Sequence, residues 1–286
     1  MAIDKANRLR DRLRQLIGAK EVLLAPGTSD CLSAVLVEKV GFQAVYMSGM
    51  VTSFTQLGLP DAGLITMNEM VDNARRIAAA VDIPVISDSD TGFGNAISAM
   101  RTVREFIGAG VAAIHIEDQI LSKRCGHVAG KMLVPLEEMV GKIRAADQAR
   151  RETDPKFVLI ARTDARGAVG GGLEEALRRA RAYAEAGADV LFPDGVQSSE
   201  EMRMLTKEVP VPWLYNQASP PHSVSPRLPL ELLQDMGVAM TIYPAATLRP
   251  SLRSVWDHLH DLKERGLQAA VDLDQSLQGH PTEEVF

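Results

Sequence analysis

The chain has 286 residues, 46% of them hydrophobic and 24% charged, with a formal net charge of −6 at pH 7. This is the composition of a globular protein; lysine and arginine spread along an acidic chain exclude the basic footprint of a nucleic-acid binder, and the lack of eighteen consecutive apolar residues excludes a membrane-spanning helix. Two cysteines and a charged N-terminal stretch, MAIDKANRLRDRLRQLIG, with no apolar core argue against a secreted disulfide framework and point to a reducing cytoplasm.

Behind that N-terminal helix the chain alternates. Runs with the Val/Ile/Phe/Tyr content of buried strands fall at 22–25, 44–47, 85–88, 112–117, 157–162, 190–193, 213–216 and 240–243. Between them, apolar residues recur at helical spacing over 67–81, 97–108, 136–151, 173–186 and 230–236, and a first apolar helix carries Cys31, which reads as plain core. Four times a helical segment ends in glycine and passes into a strand: KVGFQAVYMSG, GAGVAAIHIED, EAGADVLFPDG and DMGVAMTIYP. Glycine there supplies the left-handed cap of the helix. Strands alternating with helices are parallel and joined by right-handed crossovers. Eight such units in about 250 residues predict an α/β fold, a TIM-type (β/α)8 barrel. It forms a single domain over residues 1–286, with an N-terminal helix in front and a helical extension from 254 to 286. An open doubly wound sheet would need a phosphate loop after its first strand, and APGTSD is not one. GFG at 92–94 and GAVGGG at 167–172 lack the other residues of a nucleotide motif.

A barrel of this kind carries its chemistry at the C-terminal ends of its strands. There the sequence turns polar: Ser48 and Gly49 after the second strand, Asp88 and Asp90 at the third, His115, Glu117 and Asp118 at the fourth. Arg162 and Asp164 follow at the fifth, Asp194 at the sixth and Asn216 at the seventh. Strand alternation puts Asp88 with Asp90, His115 with Glu117, and Arg162 with Asp164 on common sides. Carboxylates crowded into one mouth need a cation. An all-oxygen set suits Mg2+ or Mn2+ rather than Zn2+, with one or two carboxylates binding directly and the others through water. The competing assignment makes these acids helix caps or structural partners of Arg162. His115 alone fits a satisfied core histidine as well as it fits a ligand or base.

From Gln119 to Pro135 no periodicity is visible, a long connection where about two to six residues is usual, and long loops on this face are commonly lids. This one reads SKRCGHVAGK over 122–131 and places Lys123, Arg124, His127 and Lys131 around Cys125. Fixed positive charge lowers a thiol's pKa, so Cys125 is expected to act as an acid–base group that delivers a proton when the lid closes. Gly126 and Gly130 would let the loop fold down, and its basic residues would draw in an anionic substrate.

The segments GFQAVYMSGM, LGLPDAGLIT, DSDTGFGN, GVAAIHIEDQ, KRCGHVAGK, FVLIARTDA and GADVLFPDG occur in that order. Together they resemble the isocitrate lyase/phosphoenolpyruvate mutase superfamily from about residue 4 to residue 253. They are most like its short C–C lyases, of the 2-methylisocitrate and 2,3-dimethylmalate lyase type, and KRCGH is the specific part, because the phosphonate mutases lack that cysteine. The resemblance implies a Mg2+-dependent oxo-acid-lyase that cleaves a 2-hydroxy di- or tricarboxylate to pyruvate or glyoxylate plus a second acid. It implies Asp88 as the direct metal ligand, with Asp61, Asp90 and Glu117 acting through waters. The backbone of Ser48, Gly49 and Met50, with Arg162, would cradle the 2-oxo-acid end; Tyr46 and His115 would line the same pocket, and His127 would tune Cys125. A homotetramer with a small carboxylate as its only other partner completes the implication. The alternatives are an oxaloacetate decarboxylase or hydrolase on the same scaffold, and a silent barrel that only binds dicarboxylates.

The chain departs from the family pattern at three places. Asp194 stands where the family usually has glutamate, HVAGK replaces an arginine-bearing lid sequence, and Asn216 is followed by an unfamiliar QASPPHSVSP. With Asp194 and Asn216, Arg249 after the eighth strand is then a candidate for the distal carboxylate.

Overall fold

The computed structural model describes residues 2–121, 123–126, 128–218 and 223–285. Eight strands alternate with helices as the sequence predicts: β1 (Leu23–Thr28), β2 (Val45–Met47), β3 (Val85–Asp88), β4 (Ala113–Glu117), β5 (Val158–Thr163), β6 (Val190–Pro193), β7 (Leu214–Asn216) and β8 (Met240–Tyr243). The helices are α1 (Ala2–Ile17), α2 (Cys31–Val40), α3 (Gly49–Thr52), α4 (Met67–Ala80), α5 (Ala96–Ala109), α6 (Leu136–Thr153), α7 (Leu173–Glu185), α8 (Ser199–Glu208), α9 (Leu230–Asp235), α10 (Leu248–Arg265) and α11 (Leu267–Leu277). All strands are parallel in the order β6-β5-β4-β3-β2-β1-β8-β7. A parallel bridge between Leu191 and Trp213 joins β6 to β7 and closes the ring. This is the (β/α)8 barrel.

Strand alternation sorts the core into two layers. Ala25, Tyr46, Ile86, Ala113, Ile160 and Phe192 belong to a buried cluster inside the barrel. Their sequence neighbours Val45, Val85, Ile114, Leu159 and Leu191 pack in the outer cluster, against the helices. The floor is closed by α1, whose Leu13 and Leu16 join the inner cluster. Its buried Arg10 donates to the carbonyls of Ile107 and Val111 at 2.7 and 3.1 Å and pairs with Asp154. Gly41 after α2 and Gly110 after α5 have φ of 102° and 90°, the left-handed caps expected of the repeated helix–glycine–strand pattern.

Two boundaries differ from expectation by more than two residues. β1 continues through Pro26 and Gly27 to Thr28, because Gly27 leaves room for the neighbouring chain: a Cβ there would lie 2.0 Å from the Pro244 carbonyl oxygen. The helical tail begins at Leu248 rather than 254, and α10 has no buried residue. Among the described residues no helix is long and apolar enough to cross a membrane.

Candidate active site

The inner register carries straight up into the site. Residues following the inward-facing ones at the C-terminal rim are Asp88 on β3, His115 and Glu117 on β4, Arg162 on β5, Asp194 just past β6 and Asn216 on β7, and all are buried. Neighbouring strands pair Asp88 with His115, Glu117 with Arg162, and Arg162 with Phe192. Above them lies a cavity of about 510 Å3 whose wall includes Tyr46, Ser48, Met50, Asp61, Asp88 and Cys125, together with Arg162, Asp194 and Asn216.

At β2, Ser48 caps the one-turn helix α3 by accepting from Val51 N, and the next residue, Gly49, donates its N–H to Asp88 Oδ2 at 3.1 Å. A Cβ on Gly49 would stand 2.5 Å from that oxygen, so the contact requires glycine. Asp88 also accepts from Asp90 N, at 2.9 Å. Burial opposes charge on Asp88, but His115, Lys123 and Arg162 outweigh it and hold the carboxyl at about 2. Asp90 has left the strand direction: its φ is 47°, and its carbonyl accepts from Glu117 N at 2.9 Å. Simple alternation from Asp88 therefore does not place it; the turn does.

Tyr46 OH lies 2.9 Å from His115 Nε2 and 3.5 Å from Asp88 Oδ2. Burial lowers His115 to about 4, so it is neutral at pH 7. An Nε2–H tautomer lets the ring donate to Tyr46 and Tyr46 donate to Asp88, leaving only the Nδ1 lone pair without a partner. His115 is thus a buried support of Tyr46 and does not reach the cavity wall.

Arg162 is the hub of the opposite wall. Its Nε and Nη2 donate to the two oxygens of Asp164 at 2.9 and 3.0 Å, and Nη2 also donates to Asp194 Oδ2 at 2.8 Å. Nη1 lies 3.2 Å from Glu117 Oε2, an ion-pair distance without hydrogen-bond alignment. Asn216 Nδ2 donates to Asp194 Oδ1 at 3.0 Å. Beneath, Asp118 accepts from Thr163 Oγ1, Asp164 N, Arg179 and Tyr183 at 2.7 to 3.1 Å. This network ties β4, β5 and α7 together.

The loop after β4 lies across the mouth. Gln119 pairs with Leu133 in an antiparallel bridge, and the Gln119 side chain clamps both the N–H and the carbonyl of Arg124, at 3.0 and 2.8 Å. Lys123 and Lys131, expected to draw in an anionic substrate, are buried with their charge already taken up by carboxylates. Lys123 Nζ lies 2.7 Å from Asp61 and 2.5 Å from Asp90, and Lys131 Nζ donates to Asp164 at 3.0 Å. That corrects the sequence reading: a lysine is driven inside when enough carboxylates wait there. Gly126 serves close approach rather than hinging, since a Cβ would sit 1.7 Å from Asp194 Oδ2. Arg124 reaches the rim, but Arg249 is exposed on the first turn of α10 and is not part of the cavity wall. His127 lies outside the described residues, as do four residues of the loop after β7, 219–222.

The donor set fits a divalent cation. Six carboxyl groups, on Asp61, Asp88, Asp90, Glu117, Asp164 and Asp194, face the buried cations of Lys123, Lys131 and Arg162. Both Glu117 oxygens are buried without a hydrogen bond, and burial pushes its carboxyl well above the usual range despite Arg162 and Lys123. Burial likewise raises Asp90, to about 6. A buried carboxyl pushed up as Glu117 is, with no hydrogen bond to either oxygen, is one that a nearby cation would help to ionise. Among the described residues no three His, Cys, Asp or Glu side chains converge as a ready-made metal cage.

Comparison of sequence and structure places the chain among known enzymes. Residues 13–263 match the family model described as phosphoenolpyruvate phosphomutase. The chain is 43% identical to 2,3-dimethylmalate lyase of Eubacterium barkeri, over 91% of this chain and 88% of that one. It is 41% identical to 2-methylisocitrate lyase of Bacillus subtilis, over 91% and 83%. The solved structure of oxaloacetate acetylhydrolase with 3,3-difluorooxalacetate superposes with a TM-score of 0.85 at 36% identity, covering 95% of this chain and 97% of that one.

Proposed function

The chain belongs to the phosphoenolpyruvate phosphomutase family, on its carbon–carbon lyase side, and we propose that it cleaves a 2-hydroxy di- or tricarboxylate of the alkylmalate or 2-methylisocitrate type. The products are a 2-oxo acid, pyruvate or glyoxylate, and a second carboxylic acid. The observation that carries this reading is that Cys125 lines the same cavity as Asp88 and Arg162. A proton donor on the lid thus faces an anion-binding floor.

Asp88 would hold a hydrated Mg2+ or Mn2+ directly, with Asp61, Asp90 and Glu117 through waters; when bound, such an ion supplies Lewis-acid polarisation of the substrate oxygen. Arg162 is fixed by Asp164 and Asp194 through Nε and Nη2, and its Nη1, which lies 3.2 Å from Glu117 without hydrogen-bond alignment, is the donor proposed to reach a substrate carboxylate. Ser48, Gly49 and Met50 frame the same end. Tyr46, steadied by His115, sits beside Asp88 and orients the reacting oxygen. With the 2-hydroxyl proton passing to solvent, cleavage leaves a 2-oxo acid and an enolate of the second acid. The Cys125 thiol protonates the enolate carbon from the lid side, and the thiolate regains its proton from solvent. His127, two residues on, is proposed to tune that thiol.

The cavity lining also includes the apolar Phe54, Val128, Ala218, Ile242 and Pro244, which favours an alkyl-bearing substrate in this reading. Likeness to oxaloacetate acetylhydrolase supports the second reading, hydrolysis or decarboxylation of oxaloacetate. The two separate in one assay that follows 2-oxo-acid release from alkylmalates and isocitrates, and pyruvate or oxalate formed from oxaloacetate. Lyase turnover is expected to fall by about 10²-fold or more with EDTA and with Cys125→Ser. Decarboxylation should survive the cysteine change. Turnover indifferent to EDTA would sink the metal assignment, and no turnover on any substrate would leave a silent barrel.

The setting proposed is the cytoplasm, and the working form a homotetramer. Leu252, Val255, Trp256 and Leu259 form one exposed apolar stripe along α10, at helical spacing. A second copy covers it in this reading. Light scattering should give about four times the chain mass of 31.0 kDa, and Trp256→Glu should lower it. A monomeric wild-type protein would refute the assembly.

A further inference from the structure

Of the two buried lysines in the loop after β4, Lys123 belongs to the carboxylates of the proposed metal set, whereas Lys131 touches none of them. Lys131 is 2% exposed. Its Nζ donates to the Gly126 carbonyl and, at 3.0 Å, to Asp164 Oδ1. Its own carbonyl accepts from Val169 N at 2.9 Å, and it bridges Ala168, so the loops after β4 and β5 are joined at this residue. Gly126 follows Cys125 directly and lies so low that a Cβ would be 2.4 Å from Arg162 Nη2. Asp164 is also the carboxylate that accepts from Nε and Nη2 of Arg162.

We propose that Lys131 is the positioning residue of the lid: its ammonium latches the Gly126 carbonyl to Asp164 and so sets how closely Cys125 approaches the Arg162 floor. A buried ammonium persists only while its hydrogen bonds are made. Lifting the loop breaks both bonds together and hydrates the lysine, which gives two discrete states, closed with Lys131 paired and open with Lys131 in water. The latched carbonyl belongs to the residue next to Cys125, which leaves the thiol little independent travel. The consequence for turnover rests on the lyase reading above; the latch itself is legible in thiol access.

The test is iodoacetamide alkylation of the full-length protein, with the Cys125 and Cys31 peptides quantified separately by mass spectrometry. Lys131→Met is expected to speed alkylation at Cys125 by about tenfold and to leave Cys31 unchanged. Removing a nearby cation would by itself slow a thiol, so acceleration reports access and not charge. On any substrate the wild type turns over, kcat should fall by about 10²-fold with a smaller change in KM. Equal Cys125 rates in wild type and a folded Lys131→Met protein overturn the latch. If no substrate is turned over, the lyase reading fails and the alkylation ratio still decides. Should Lys131→Met accelerate Cys31 as well, the fold has loosened, and Val169→Pro takes its place. That change removes the N–H donor to the Lys131 carbonyl at an exposed position. Selective acceleration at Cys125 then supports the latch, and none overturns it.

Discussion

An Arg162→Met variant is expected to lose 2-oxo-acid release by about 10³-fold or more and to be less stable by about 3–5 kcal/mol. Both effects have one cause. Arg162 is the cation against which Glu117, Asp164 and Asp194 are arranged, at 2.8 to 3.2 Å, and none of these carboxyls is in contact with bulk water. Methionine keeps much of the volume over the Phe192 ring, where the guanidinium carbon lies 5.2 Å from the centroid, but supplies no charge. The carboxyls must then take up protons or repel one another. Burial pushes Asp164 up, yet Arg162 and Lys131 overcome it and hold it below the ordinary carboxylate range. A carboxyl lowered in the folded chain stabilises the fold above its unfolded pKa, and that contribution is lost as pH falls through the folded value. The stability difference between wild type and variant should therefore be widest at neutral pH and shrink in acid. Urea midpoints at the two pH values measure it, and a gap that widens in acid would contradict the arrangement.

The second large effect is kinetic with little loss of stability. A Gly126→Ala methyl would stand 1.7 Å from Asp194 Oδ2 and 2.4 Å from Arg162 Nη2, both held by other partners and unable to retreat. The loop is the part that can yield. It should ride higher, carrying Cys125 away from the substrate, and a displacement of about 1 Å is enough to cost about 10²-fold in rate. The thermal midpoint should stay close to wild type while kcat falls. A variant that melts early but turns over normally when folded would show that Gly126 serves the fold alone.

Much of this was legible in the chain. Buried parallel strands read as β-branched runs preceded by a capping glycine, and alternation along β4 and β5 puts His115 with Glu117, and Arg162 with its neighbours, on the inner face. Asp90 shows where alternation ends: its left-handed turn, not the strand, brings it to Lys123. Helices α3 and α8 were not foreseen, the first because one turn is shorter than any periodic signal. The lysines of the loop were misjudged for a different reason. Lysine in a glycine-bearing loop looks solvated, and only pairing across 33 residues to Asp164 accounts for Lys131 being inside. Arg249 was nominated as a charge near a strand end, but α10 begins there and carries it outward.

One joint in the barrel differs from the rest. Seven neighbouring strand pairs share ladders, while β6 and β7 meet, among the described residues, through the Leu191–Trp213 bridge alone. A hoop fastened lightly at one point widens there first. The two residues that stand on either side of that point at the rim are Asp194 and Asn216, and their side chains are tied across it by a 3.0 Å hydrogen bond. They also belong to the cavity wall. The proposed substrate-length contacts thus sit on the seam with the fewest backbone pairings among the described residues. Asp194 is the shorter acid where the family resemblance implies glutamate, so its 3.0 Å bond to Asn216 draws the two sides of that seam together at the rim.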